Sequence, residues 1–165
     1  MQPTNKPEIT IVDDDLEHLE AHISNLRICV AEDNKTNQLL IKKMLGTKVK
    51  SLEISDNGQI AVDRFRNAKP DIVLMDVSMP IKDGLTATAE IRVLETAHKL
   101  NKCPIIALTA NAMPEDRARC FDTGMNDFIT KPVRKKNLFN MIGALTGFDP
   151  SHSKGQEPII NIQAS

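Results

Sequence analysis

Asp71-Ile72-Val73-Leu74-Met75-Asp76 decides how this chain is read. Four apolar side chains stand in a row between two aspartates, with none of the alternation that marks a strand with one wet face. Such a run suits a central parallel strand buried on both faces. Parallel neighbours cannot be joined by a hairpin, so helical crossovers must flank it. They are present on both sides. Upstream, Arg27-Ile28-Cys29-Val30-Ala31 reads as a strand ending in Glu32-Asp33. A helix follows over Asn34 to Leu45, with Asn34 as N-cap and Asn37, Leu40, Ile41, Met44 and Leu45 setting its stripe. Ser51 to Ser55 alternates as a second strand. Ile60, Ala61, Phe65 and Ala68 mark a second helix, entered after Asn57-Gly58 and closed before Pro70. Downstream, Gly84 opens a helix carried by Leu85, Ala89, Ile91 and Leu94 toward Leu100. Pro104-Ile105-Ile106-Ala107-Leu108-Thr109 is another buried strand. Pro114 stands at N1 of a helix that Gly124 ends. Asp127 to Lys131 is a short strand, and Leu138, Met141, Ile142 and Leu145 form a last helix closed by Gly147.

Five strand–helix units in alternation imply an α/β fold, a five-stranded parallel sheet with helices on both faces. The common five-strand solution is the flavodoxin-like order 2-1-3-4-5, with ligands at the carboxyl ends of the strands. Those ends carry Glu32-Asp33, Asp76, Thr109 and Lys131. Each residue alone has an ordinary reading: an Asp at a strand end usually caps a turn, Thr109 is normal strand content, and a lysine is by default solvated. Together they describe a pocket. Three crowded carboxylates need a cation, and oxygen ligands suit Mg²⁺ or Mn²⁺ better than zinc. A lysine and a hydroxyl opposite them suit an anion that shares that cation, such as a phosphoryl group.

The chain from about Leu26 to Phe148 resembles the receiver domain of response regulators, especially receivers fused to hybrid sensor histidine kinases. The resemblance rests on Ile28 to Asn34, on Leu74-Met75-Asp76-Val77-Ser78-Met79-Pro80, on Asp83-Gly84, on Pro104 to Ala110 and on Lys131-Pro132. It implies that Asp76 is the phosphoacceptor and attacks the phosphorus of a phosphohistidine. Asp33 would bind Mg²⁺ directly, Glu32 through water, and the backbone carbonyl of Ser78 would be a further metal ligand. Lys131 would pair with a phosphoryl oxygen, and the Thr109 hydroxyl with another. Phe128 falls at the aromatic switch position coupled to Thr109, and Lys131-Pro132 is expected to be a cis peptide. The family's receivers catalyse their own phosphorylation and dephosphorylation, and the implied partner is a histidine kinase or a histidine phosphotransfer protein. The chain departs from the plainest pattern in carrying Glu32 where an Asp is usual. Ser78 and Asn111 occupy the two positions that tune phosphate lifetime.

Two other functions compete. A Mg²⁺-dependent aspartate-nucleophile phosphatase of the dehalogenase type would need a second Asp where Ser78 stands. A flavodoxin-like nucleotide domain would need a glycine-rich phosphate loop after the first strand, where Glu32-Asp33 stands instead.

With 165 residues the chain holds one domain with a sizeable core. Its net charge of −1 gives no field that would steer it to nucleic acid or anionic lipid. It has neither Trp nor Tyr and only 5 Phe, so base-stacking platforms are not expected. Cys29, Cys103 and Cys120 lack metal or disulfide spacing. Cys29 reads as a small apolar residue, and a reducing, cytoplasmic setting fits. No apolar run is long enough to span a bilayer, although a parent protein can be membrane-anchored. The four histidines, His18, His22, His98 and His152, lack the context of a kinase phosphoacceptor.

Three segments are expected: 1–26, a linker or tail of an upstream module; 27–148, the receiver-like domain; and 149–165, a flexible tail. Leu16, Leu19, Ile23 and Leu26 fall at helical spacing within the first. Ile9 to Asp15 imitates a first strand with its acids, but Asp14 precedes Asp76 by 62 positions, whereas Asp33 precedes it by 43, about what the intervening elements require. Leu39 falls off the stripe of its helix and is a candidate contact for a histidine-bearing partner helix.

Overall fold

The computed structural model describes residues 13–150. Ile9 to Val12, the tail beyond Pro150 and His152 lie outside the described residues. The elements are α1 (Asp13–Ile23), β1 (Arg27–Ala31), α2 (Lys35–Leu45), β2 (Ser51–Ser55), α3 (Gly58–Ala68), β3 (Ile72–Asp76), α4 (Gly84–Ala97), β4 (Ile105–Thr109), α5 (Pro114–Thr123), β5 (Asp127–Thr130) and α6 (Lys135–Leu145). All strand pairs are parallel and the order is β2-β1-β3-β4-β5. β3 and β4 are buried at every residue, as the uninterrupted apolar runs require. The edge strand β2 alternates instead.

Alternation within the central strands divides the core between the two faces. Ile72, Leu74, Ile106 and Leu108 pack with Ile41, Leu45, Leu138, Phe139 and Ile142 from α2 and α6. Val73, Met75, Ile105 and Ala107 pack on the opposite side with Phe65, Ala87, Ile91 and Cys120 from α3, α4 and α5. Burying each Leu, Ile or Phe contributes roughly 1.5–3 kcal/mol, so the layers drive the fold. Cys29 is half-buried against the second layer, and burial followed by the nearby Glu53 pushes its thiol up to about 12.

Side-chain caps fix where three crossover helices begin. Asn34 accepts from the Asn37 amide, Asn57 from the Ile60 amide and Asp83 from the Thr86 amide. Each such cap contributes about 1 kcal/mol. Gly84 is required by packing: a Cβ there would fall inside contact distance of the Asp76 carbonyl. That contact holds the β3–α4 turn against the end of β3.

α1 packs onto the core of the sheet domain. Leu19 and Ile23 are fully buried and belong to the α2/α6 core layer, together with Leu26. The boundary expected between residues 26 and 27 therefore runs through a continuous core. Leu16, at the same helical spacing, is exposed. The helix is seated by Glu20 against Lys48 at 2.8 Å, by His22 Nε2 against the Thr146 hydroxyl at 2.8 Å, and by the His22 ring against Phe148.

Candidate functional site

Register brings the polar strand ends together. Ala31 is paired with Met75, so Glu32 lies beside Asp76. Thr109 is paired with Thr130, so Lys131 follows directly beyond it, and the Lys131 amide donates to the Thr109 carbonyl at 2.7 Å. The Lys131-Pro132 peptide is cis, as expected.

Carboxylate oxygens of Glu32, Asp33 and Asp76 lie within 4.8 Å of one another. Glu32 is 0% exposed and Asp76 3%, whereas Asp33 faces solvent. Lys131 Nζ bridges the buried pair, 3.1 Å from Glu32 Oε2 and 2.9 Å from Asp76 Oδ2. Asp76 Oδ1 accepts from the Ser78 amide at 3.1 Å. Burial raises the Asp76 pKa to about 6, with Glu32 adding to the rise and Lys131 opposing it. For Lys131, burial acts to lower the pKa, but Asp76 and Glu32 outweigh it and hold the amine above its ordinary value. Three carboxylates facing one ammonium leave excess negative charge, with Glu32 and Asp76 buried and Asp33 open to solvent. An all-oxygen donor set with that excess fits a small hard divalent cation.

Asp33, Asp76 and Lys131 border an open cavity of about 370 Å³, also lined by Ser78, Thr109 and Asn111. The Thr109 hydroxyl is turned to its own loop: it donates to the Asn111 carbonyl at 2.9 Å and accepts from the Asn111 amide at 3.2 Å. Phe128 is half-buried, with the Arg117 guanidinium 4.6 Å above its ring and Phe121 edge-on at 6.4 Å. Thus Glu32, Asp33, Asp76 and Lys131 form one cluster, Ser78 and Thr109 line its cavity, and Phe128 lies under α5.

Sequence reading missed two contributions. An ion pair between Asp116 and Arg119 of α5 lines the cavity wall. Asn37, assigned by spacing to the helical stripe, donates from Nδ2 to Glu32 Oε1 at 2.6 Å. The signal for Asn37 was its polarity at the first turn of a helix that starts beside the acids.

A doubly wound parallel sheet with clustered acids and a lysine at its carboxyl end defines a class of phosphoryl-handling α/β domains. Residues 28–143 match the family model of the response regulator receiver domain, and the chain belongs to that family, the receivers of two-component phosphorelays. Hybrid signal transduction histidine kinase I of Dictyostelium discoideum is 40% identical over 121 residues, which make up 70% of this chain and 7% of that protein. The chain therefore spans only a small part of the curated relatives it matches. The receiver domain of sensor histidine kinase PA1611 from Pseudomonas aeruginosa, solved with magnesium coordinated in its active-site cleft, is 36% identical. It superposes with a TM-score of 0.66 over 74% of this chain and 98% of that one. The Saccharomyces cerevisiae Ssk1 receiver, solved in complex with the histidine phosphotransfer protein Ypd1, gives 0.70 at 26% identity, covering 78% of this chain and 98% of that one. α1 precedes the matched residues. Among the described residues no helix is long and apolar enough to cross a membrane.

Proposed function

We propose that this receiver accepts a phosphoryl group from a phosphohistidine onto Asp76, in the cytoplasm, as a segment of a hybrid sensor histidine kinase. The observation that carries the assignment is the placement of Lys131 Nζ at 2.9 Å from Asp76 Oδ2, with Glu32 and Asp33 beside it. An O–P bond forms at an Asp76 oxygen as the P–N bond of the donor breaks, and the imidazole leaves. Phosphoryl transfer needs positioning and charge neutralisation more than covalent assistance. Lys131 follows the charge from the carboxylate to a phosphoryl oxygen. Asp33, Asp76 and the Ser78 carbonyl would hold Mg²⁺, with Glu32 reaching it through water, and Mn²⁺ suits the same donors. The bound ion neutralises charge on the transferring oxygens. Magnesium in the cleft of the PA1611 receiver supports this choice of ion.

The output is a change in the loop after β4. Once Asp76 carries phosphate, the Thr109 hydroxyl leaves Asn111 for a phosphoryl oxygen, and Phe128 leaves Arg117 for the space Thr109 vacates. The donor is a histidine kinase or histidine phosphotransfer protein, a reading supported by the complex of the Ssk1 receiver with Ypd1. Exposure of Leu39, 53% on the helix that starts at the cavity rim, supports a contact with such a partner's helix.

Intact-mass analysis with acetyl phosphate tests the assignment. Wild type gains one phosphate in Mg²⁺ and none in EDTA, and Asp76→Asn gains none. Continued uptake by Asp76→Asn would refute it.

A further inference from the structure

Glu32 is one methylene longer than the aspartate usual at its position, and its carboxylate is fully buried. The longer arm adds a rotatable bond, so the backbone alone does not aim its oxygens. Two donors do. Lys131 reaches both oxygens, at 3.3 and 3.1 Å, and Asn37 Nδ2 reaches Oε1 at 2.6 Å. Asn37 is itself held in place. Its amide donates to the Asn34 cap at 3.0 Å, and its neighbour Gln38, buried, donates from Nε2 to the Glu32 carbonyl at 2.6 Å and to Asp56 Oδ1 at 2.7 Å. The first turn of α2 is thereby tied to the ends of both β1 and β2, and the Asn37 side chain is presented to Glu32 from a fixed base.

We infer that Asn37 is a positioning residue of the phosphoryl-transfer site, which holds the long Glu32 carboxylate in place for the divalent cation. A neutral amide suits this task. It occupies one lone pair of Oε1 without adding positive charge, so the cluster keeps the excess negative charge that attracts the cation. A second lysine would orient Glu32 equally well but would discharge the site. Asn37 acts only through Glu32. The inference rests on the reading that Glu32 serves the cation site.

The test is a double-mutant cycle read by equilibrium Mg²⁺ titration of the full chain, by calorimetry and amide chemical shifts, without phosphodonor. Asn37→Ala weakens Mg²⁺ binding about tenfold, the low end of the range for loss of an outer-shell partner. In a Glu32→Asp background the shortened carboxylate no longer reaches Asn37, so adding Asn37→Ala changes affinity less than about twofold. Asn37→Leu, which keeps the branched outline of the side chain and raises helix propensity but has no donor, repeats the tenfold loss should the alanine variant fold poorly. Equal losses in the two backgrounds, or wild-type affinity in both Asn37 variants, would overturn the inference while leaving the cation site standing. Absence of Mg²⁺ binding by wild type would overturn both, and is a distinct result.

Discussion

The two ends of this domain are built on opposite principles. At the carboxyl end of the sheet, Glu32 and Asp76 are buried beside each other and only partly compensated by one lysine, so that end is poised for a ligand at a cost to the fold. At the other end, Leu19 of α1 sits fully buried over Gly143 of α6, in contacts whose whole yield is stability. The family match covers residues 28–143, and α1 precedes it in the chain. Function and stability are thus spatially separated, and substitutions at the two ends should have different signatures.

The largest effect is expected at the seat. Leu19→Ala removes a side chain with 0% exposure and should cost about 2–5 kcal/mol in denaturant unfolding, while the folded fraction still takes up phosphate. Loss of uptake by folded protein would break the separation.

Asp76→Asn should behave in the opposite way, losing uptake and gaining about 3 kcal/mol of stability near pH 7.5. Folded Asp76 keeps its proton up to about pH 6, whereas the unfolded residue releases it near 3.8. Its ionisation therefore costs the most stability above pH 6, and the cost fades as pH falls toward 4. The gain of the variant over wild type should shrink across that window. A gain that grows on acidification would contradict this account.

Gly143→Ala sharpens the comparison through its sign. A Cβ there lies 2.5 Å from Leu19 Cδ1, and overpacking of that kind costs about 1–3 kcal/mol. Helix propensity returns about 1 kcal/mol. The single variant should be destabilised, and the same change in a Leu19→Ala background should stabilise. Melting of the four proteins checks the reversal, and destabilisation in both backgrounds would show that Leu19 is not what Gly143 accommodates.

The smallest effect belongs to Leu39. Leu39→Ala should leave stability within about 0.5 kcal/mol of wild type and slow transfer from a phosphorylated histidine phosphotransfer protein a few-fold, measured by rapid quench. Unchanged transfer rates would remove Leu39 from the partner surface.

These contrasts also mark what could be read without coordinates. β3 and β4 were legible because a run such as Ile72 to Met75 has only one stable place in a parallel sheet. Given the strand order, Glu32, Asp33, Asp76 and Lys131 had to converge. Docking of α1 was not legible: Leu19 and Ile23 announce an apolar stripe, but a stripe does not say what covers it, and the partner, Gly143, lies 124 positions away from Leu19. Asn37 was misassigned for a related reason. Helical spacing shows which residues share a face, and at the first turn of α2 that face meets a carboxylate. The Thr109 hydroxyl bonds to Asn111 and the Phe128 ring lies against Arg117, tertiary contacts that no local pattern encodes.

The most direct test of the central claim is to locate the phosphoryl group chemically. Wild-type protein phosphorylated with acetyl phosphate and Mg²⁺ would be reduced with borohydride, which converts an aspartyl phosphate to homoserine, and then mapped by peptide mass spectrometry. The account predicts homoserine at position 76 and nowhere else. Homoserine at another acidic position, Asp33 included, with Asp76 left intact, would contradict it.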